Sequence, residues 1–240
     1  MIFVSYTDKG SRPTNQDAYF ESDKLFIVCD GVGGLSYGDV AAKLACSSFS
    51  EYFNANQSEV YDCDYLNNAL QYTFEKFRET INKYPETKEM STTIVLIAFD
   101  TDGAIVSWMG DSRLYHVRPD TSGGEILFVT EDDSLINQLR SKGEDVSQVS
   151  RNIITKCLSV NRNDTINFHR IAKNETQAGD YFFLCTDGVL ENVSDEILAD
   201  ILSGQTTQSR QTTIKQKAKK IRELCEGKTK DNYTFILIEI

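Results

Sequence analysis

The chain has 240 residues, 40% of them hydrophobic, with 25 basic and 36 acidic side chains and a formal charge of −11 at pH 7. That size allows one substantial core, no Pro-rich or Ser/Gly-rich stretch marks a linker, and residues 1–240 read as a single domain. The acidic balance argues against nucleic acid as a partner, and the one basic run, five residues between positions 215 and 222, reads as a solvated helix face.

The first predicted strand is Leu25-Phe26-Ile27-Val28-Cys29, an apolar run without polar alternation, as expected of a strand covered on both faces. It stops at Asp30-Gly31. Beyond Gly31-Val32-Gly33-Gly34 the spacing predicts a helix over 39–54, with Val40, Leu44, Ala45, Phe49 and Phe53 on one side. A second helix over 64–83 carries Leu66, Leu70, Phe74, Phe77 and Ile81 as one stripe. Strands follow at 92–99, 104–109, 114–118 and 125–129, turning at Asp102-Gly103 and through a loop holding Pro119 and Gly123-Gly124. A short helix over 134–142 ends at Gly143, an irregular stretch runs to about 164, and strands are predicted at 166–172 and 181–185. One helix starts at the N-cap Ser194 and ends at Gly204, another spans 209–226 and stops at Gly227, and a last strand covers 233–240. Runs of strands between helix pairs, rather than βαβα alternation, predict an α+β fold: a four-layer αββα sandwich of two mostly antiparallel sheets flanked by helix pairs.

The run 181–185 passes through Thr186 into a second Asp-Gly elbow, Asp187-Gly188, and Asp231 stands just before the last apolar run. Carboxylates clustered at strand ends are costly unless a positive charge sits between them, and oxygen-only donors select hard cations such as Mg²⁺ or Mn²⁺. A glycine after the acid lets backbone approach a metal. His116 and His169 lack zinc spacing, and the six cysteines (29, 46, 63, 157, 185 and 225) form no Cys-x-x-Cys pair. With no secretory leader and no apolar stretch of spanning length, a cytoplasmic protein without a membrane partner is expected.

Six segments, in order, carry a resemblance: Arg12-Pro13-Thr14-Asn15-Gln16-Asp17, Asp30-Gly31-Val32-Gly33-Gly34, Ser91-Thr92-Thr93, Gly110-Asp111-Ser112-Arg113, Asp187-Gly188 and Asp231-Asn232-Tyr233-Thr234. Together they resemble the metal-dependent type 2C protein serine/threonine phosphatases of compact bacterial type. The resemblance implies hydrolysis of phosphoserine and phosphothreonine in proteins by a metal-activated water, with two to three Mn²⁺ or Mg²⁺ ions as cofactors. Asp30 would bridge two metals, the carbonyl of Gly31 would complete one site, and Asp187 and Asp231 the other. Arg12 would hold the phosphate, while Asp111, supported by Glu191, would hold a third metal. Phosphorylated proteins and a cognate Ser/Thr kinase are the partners it implies, in a signalling role.

Departures from the family pattern bear on mechanism. Val32 and Leu35 stand where relatives often carry a histidine, so no general acid is assigned. Gln16 replaces a frequent Glu; it can still order a metal-bound water but adds no charge. Asp133 replaces a usual His, Asp17 reads as an outer acid or a structural partner, and residues 141–160 resemble the family's mobile flap. A dinucleotide-binding loop at 31–36 is disfavoured, because Asp30 would face the pyrophosphate, Ser36 replaces the third glycine and no βαβ unit follows. The alternative function is a weak or inactive type 2C pseudophosphatase that binds a phosphoprotein or kinase.

Overall fold

A computed structural model of the chain describes residues 1–32, 37–120, 123–150, 153–162, 164–203 and 213–240. Ten strands are formed among them: β1 Ile2–Asp8, β2 Asp17–Glu21, β3 Leu25–Asp30, β4 Ile94–Asp100, β5 Gly103–Met109, β6 Arg113–Asp120, β7 Gly123–Val129, β8 Asn167–Ala172, β9 Tyr181–Cys185 and β10 Tyr233–Glu239. The helices are α1 Gly38–Ala55, α2 Cys63–Lys83, α3 Leu135–Ser141, α4 Asp187–Leu190, α5 Asp195–Ser203 and α6 Ile214–Cys225. One sheet has the order β1-β10-β9-β6-β7 and the other β2-β3-β4-β5-β8, and their pairings are antiparallel.

The unbroken apolar runs follow from this layering. Along β3, Phe26 and Val28 enter the core between the sheets, while Leu25, Ile27 and Cys29 enter the core beneath α1 and α2. Along β10, Ile236 and Ile238 face between the sheets, and Phe235 and Leu237 pack with Leu198 and Ile221 from α5 and α6. Successive side chains point to opposite faces, so a strand in the middle of four layers buries both. The αββα sandwich expected from the sequence is the architecture observed.

Several local expectations are corrected. The edge strands β1 and β2 were not predicted: most of their residues are only partly buried, and β1 is defined by its register with β10, Ile2 opposite Glu239 through Asp8 opposite Tyr233. Strands β6 and β7 run through the predicted loop, with Pro119 opposite Gly124. Pairing of β6 with β9 stops at Val117, so the missing N–H of Pro119 interrupts no ladder there. A Cβ on Gly124 would lie 2.5 Å from the carbonyl oxygen of Ala199, so its absence lets α5 pack onto β7. Lys217 is buried rather than solvated: its Nζ donates to the carbonyls of Ile201 and Leu202 at the end of α5 and lies 4.8 Å from the Tyr181 ring centroid. Gly33, Gly34, Leu35, Ser36, Gly204 and the predicted helix start at 209 lie outside the described residues. Among the described residues, no helix is long and apolar enough to cross a membrane.

Candidate metal centre

Four acids converge because four chain reversals fall at one end of the sandwich. Asp30 ends β3, Asp111 follows Gly110 between β5 and β6, Asp187 opens α4 directly after β9, and Asp231 precedes β10. They line one cavity of about 360 Å³ with Arg12, Gln16, Gly31, Val32, Thr93, Ile154 and Asn232. Glycine is required where backbone crowds the site. A Cβ on Gly31 would come within 2.5 Å of the Gly38 carbonyl oxygen, and one on Gly188 within 2.0 Å of that of Asn232.

Hydrogen bonds hold the reversals in place. The Asp30 N–H donates to Thr93 Oγ1 at 3.1 Å, Thr93 Oγ1 contacts Ser112 Oγ at 2.7 Å, and Thr92 Oγ1 donates to the Asp30 carbonyl at 2.8 Å. Asn232, missed as a functional residue, ties the two ends of the chain together. Its Oδ1 accepts the Gln16 N–H at 2.7 Å, and its Nδ2 donates to the carbonyls of Lys9 and Thr14, each at 2.9 Å. Asp17 is buried and does not line the cavity; its Oδ2 accepts the hydroxyls of Thr186 at 3.0 Å and Thr234 at 2.7 Å. The motif containing Asp231 and Asn232 was the available signal for the Asn232 contacts, but their partners are more than 200 positions away.

The electrostatics show what the site lacks by itself. Burial, then the charges of Asp17, Asp187, Asp111 and Asp231, hold the Asp30 carboxyl far above the usual carboxylate range. Burial and the charge of Asp187 push Asp111 up to about 7, and burial with Asp231 raises Asp187. Oδ1 of Asp187 is buried without a hydrogen-bond partner. Crowded, desolvated carboxylates of this kind are an all-oxygen donor set for a hard divalent cation, whose charge would reverse each of these shifts. Among the described residues no three acidic, thiol or imidazole groups form a ready-made cage.

Two residues of the expected set are tied to the Asp231 turn. Arg12 donates from Nε and Nη2 to the two oxygens of Asp231 at 3.0 and 2.6 Å. Glu191 does not line the cavity; its oxygens accept the N–H groups of Lys230 and Asp231 at 2.9 and 3.2 Å, which braces the Asp231 turn. No histidine is among the described lining residues, and Val32 is there instead. His116 is buried against Asp180, and His169 stacks on Phe128 with centroids 4.1 Å apart.

The chain is similar to the serine/threonine protein phosphatase PstP of Mycobacterium tuberculosis, 24% identical over 245 residues and 99% of this chain, but it spans only 45% of that relative's length. It is 27% identical over 248 residues to the serine/threonine phosphatase stp of Listeria innocua, covering 97% of this chain and 93% of that protein. Among solved structures, Stp1 from Staphylococcus aureus matches with a TM-score of 0.81 at 25% identity, over 99% of this chain and 94% of that one. The catalytic domain of PstP in complex with two manganese ions matches with a TM-score of 0.78 at 24% identity, over 99% and 97% of the two chains. The sequence profile of the protein phosphatase 2C family covers residues 9–223, and the chain belongs to that family.

Proposed function

We propose that the protein hydrolyses phosphoserine and phosphothreonine in other proteins at a binuclear Mg²⁺ or Mn²⁺ centre. The observation that carries this reading is the convergence of Asp30, Asp111, Asp187 and Asp231, from four separate chain reversals, on one cavity with Arg12. Asp30, Asp187 and Asp231, with the Gly31 carbonyl, would hold two metals, and Asp111 would hold a weaker third. When bound, Mg²⁺ or Mn²⁺ supplies activation of the attacking water and neutralisation of the phosphate dianion.

The protein's own part is binding and orientation. Arg12, which now donates to both oxygens of Asp231, would offer its guanidinium fork to two oxygens of a phosphate once Asp231 served as a metal ligand. Thr93 and Ser112 hold the turn that carries Asp30, and Glu191 holds the turn that carries Asp231. No side chain is assigned as general acid, since Val32 lines the cavity where an imidazole would serve. Phosphorylated proteins are the proposed substrates, a cognate Ser/Thr kinase the proposed counterpart, and a reducing cytoplasm the proposed setting.

Phosphate release from a phosphothreonine peptide, with Mn²⁺, with Mg²⁺ and with excess chelator, tests the reading. Turnover that needs added metal supports it. A folded protein inert under all three conditions would be a pseudophosphatase, the reading that the valine at position 32 favours.

A further inference from the structure

Asp133 is not among the described residues that line the cavity, yet it joins two pieces of chain that line it. Its Oδ2 accepts the Gly110 N–H at 3.2 Å and Asn167 Nδ2 at 2.8 Å, while its Oδ1 lies 3.1 Å from Lys156 Nζ. Lys156 Nζ also donates to Asn167 Oδ1 at 3.0 Å. The main chain repeats the link: the Asp133 N–H donates to the Gly110 carbonyl at 2.8 Å, and the Asp133 carbonyl accepts the Thr155 N–H at 2.7 Å. One acid therefore grips both the turn that presents Asp111 and the strip whose Ile154 lines the cavity.

The pair is of the kind that sets geometry. The Asp133 side chain is 12% exposed and that of Lys156 30%, so neither is fully solvated, and the planar carboxylate is held from three directions. Other bonds keep the strip attached without it. Leu158 and Thr92 exchange backbone hydrogen bonds of 2.8 and 3.2 Å, and the Leu135 N–H donates to the Ile153 carbonyl at 2.8 Å. Loss of the Lys156 charge should therefore loosen the strip between two anchors without unfolding it. Ile154 is the one aliphatic side chain besides Val32 among the described lining residues, in a cavity otherwise built from polar groups and backbone. An apolar side chain there can meet the residues flanking a phosphorylated side chain, whereas the phosphate itself is the partner of the charged groups.

We propose that the Asp133–Lys156 pair is a positioning device that holds Ile154 as an apolar wall for the peptide around the phosphoamino acid, so that it governs recognition of peptide rather than the hydrolytic step. This rests on the phosphatase reading above. Lys156→Met keeps the stem and removes the charge. In the Mn²⁺-loaded protein it should raise KM for a phosphothreonine decapeptide about three- to tenfold, the scale of one partly buried ion pair, with kcat unchanged. On p-nitrophenyl phosphate, which ends at one ring, both constants should stay within about twofold. Lys156→Arg should restore most of the peptide KM, and Ile154→Ser should raise it as Lys156→Met does. Without metal, the Thr155 amide should exchange with solvent faster in Lys156→Met while the Leu158 amide keeps its wild-type rate. A wild-type peptide KM in active Lys156→Met, equal proportional losses on both substrates, or an unchanged Thr155 exchange rate would each overturn the inference. Wild-type protein inert on both substrates would overturn the phosphatase reading itself, an outcome distinct from the other three.

Discussion

Arg12 and Asp231 are joined by two hydrogen bonds of 3.0 and 2.6 Å, so the residue read as the phosphate clamp is docked on a residue read as a metal ligand. Their side chains are 55% and 35% exposed, so water screens the pair and it adds little to stability. On the proposed reading it is a placeholder that cation and phosphate would separate.

Arg12→Lys should therefore leave stability within about 0.5 kcal/mol of wild type, because an exposed pair is lost. Its kcat/KM for a phosphothreonine peptide should fall about 10- to 100-fold, since an ammonium cannot offer the bidentate fork. Urea unfolding and steady-state kinetics on the same preparations check the two halves.

Cation binding should stabilise the fold strongly, because it relieves the repulsion among Asp30, Asp111, Asp187 and Asp231. Free Mn²⁺ at about 100 times its Kd adds about 2.7 kcal/mol, which corresponds to a rise in Tm of roughly 5–10 °C for a chain of this size. Asp30→Asn should show little or no rise, and its metal-free Tm should equal or exceed that of metal-free wild type. Scanning calorimetry with and without chelator makes the comparison.

Thr234 is fully buried, and its Oγ1 contacts Asp17 Oδ2 at 2.7 Å and Thr7 Oγ1 at 2.7 Å. Thr234→Val keeps the shape but leaves Asp17 with one hydroxyl fewer, at a cost of about 1–3 kcal/mol. Urea unfolding should show a lower midpoint with an unchanged m-value.

The legible and illegible parts of this protein differ for a physical reason. Strands β3, β9 and β10 are buried on both faces, so their composition alone marks them, and the acids at their ends were readable with them. The edge strands β1 and β2 lack that signal, because an edge is made by its neighbour. Glu191, four residues after Asp187, reads in the sequence as support for Asp111 at a third metal, but α4 ends at Leu190 and the carboxylate accepts the backbone N–H groups of Lys230 and Asp231. The buried ammonium of Lys217 was hidden in a run of basic residues that otherwise faces water. The role of Asp133 depended on Gly110, Lys156 and Asn167, none of them its neighbour in the chain.

His116 supplies a pH dependence that is separate from the metal centre. It faces Asp180, Arg118 and Glu175, and burial holds its imidazole below the ordinary 6.5 despite the Asp180 hydrogen bond. The unfolded chain then takes up a proton first as pH falls through 6.5, so stability declines on acidification, by at most about 1.4 kcal/mol per pH unit. His116→Gln should lose less stability than wild type between pH 6.5 and 5. Urea unfolding of both proteins in chelator, compared as a difference at each pH, cancels the shared contribution of the clustered carboxylates.

The most direct test of the central claim is phosphate release from a phosphothreonine peptide by wild-type and Asp187→Ala protein, each with Mn²⁺ and with excess chelator, alongside circular dichroism spectra of both. The account predicts Mn²⁺-dependent turnover in wild type only, with both proteins folded. Turnover that survives in Asp187→Ala, or that persists in chelator, would contradict a metal-dependent phosphatase centre built on these carboxylates.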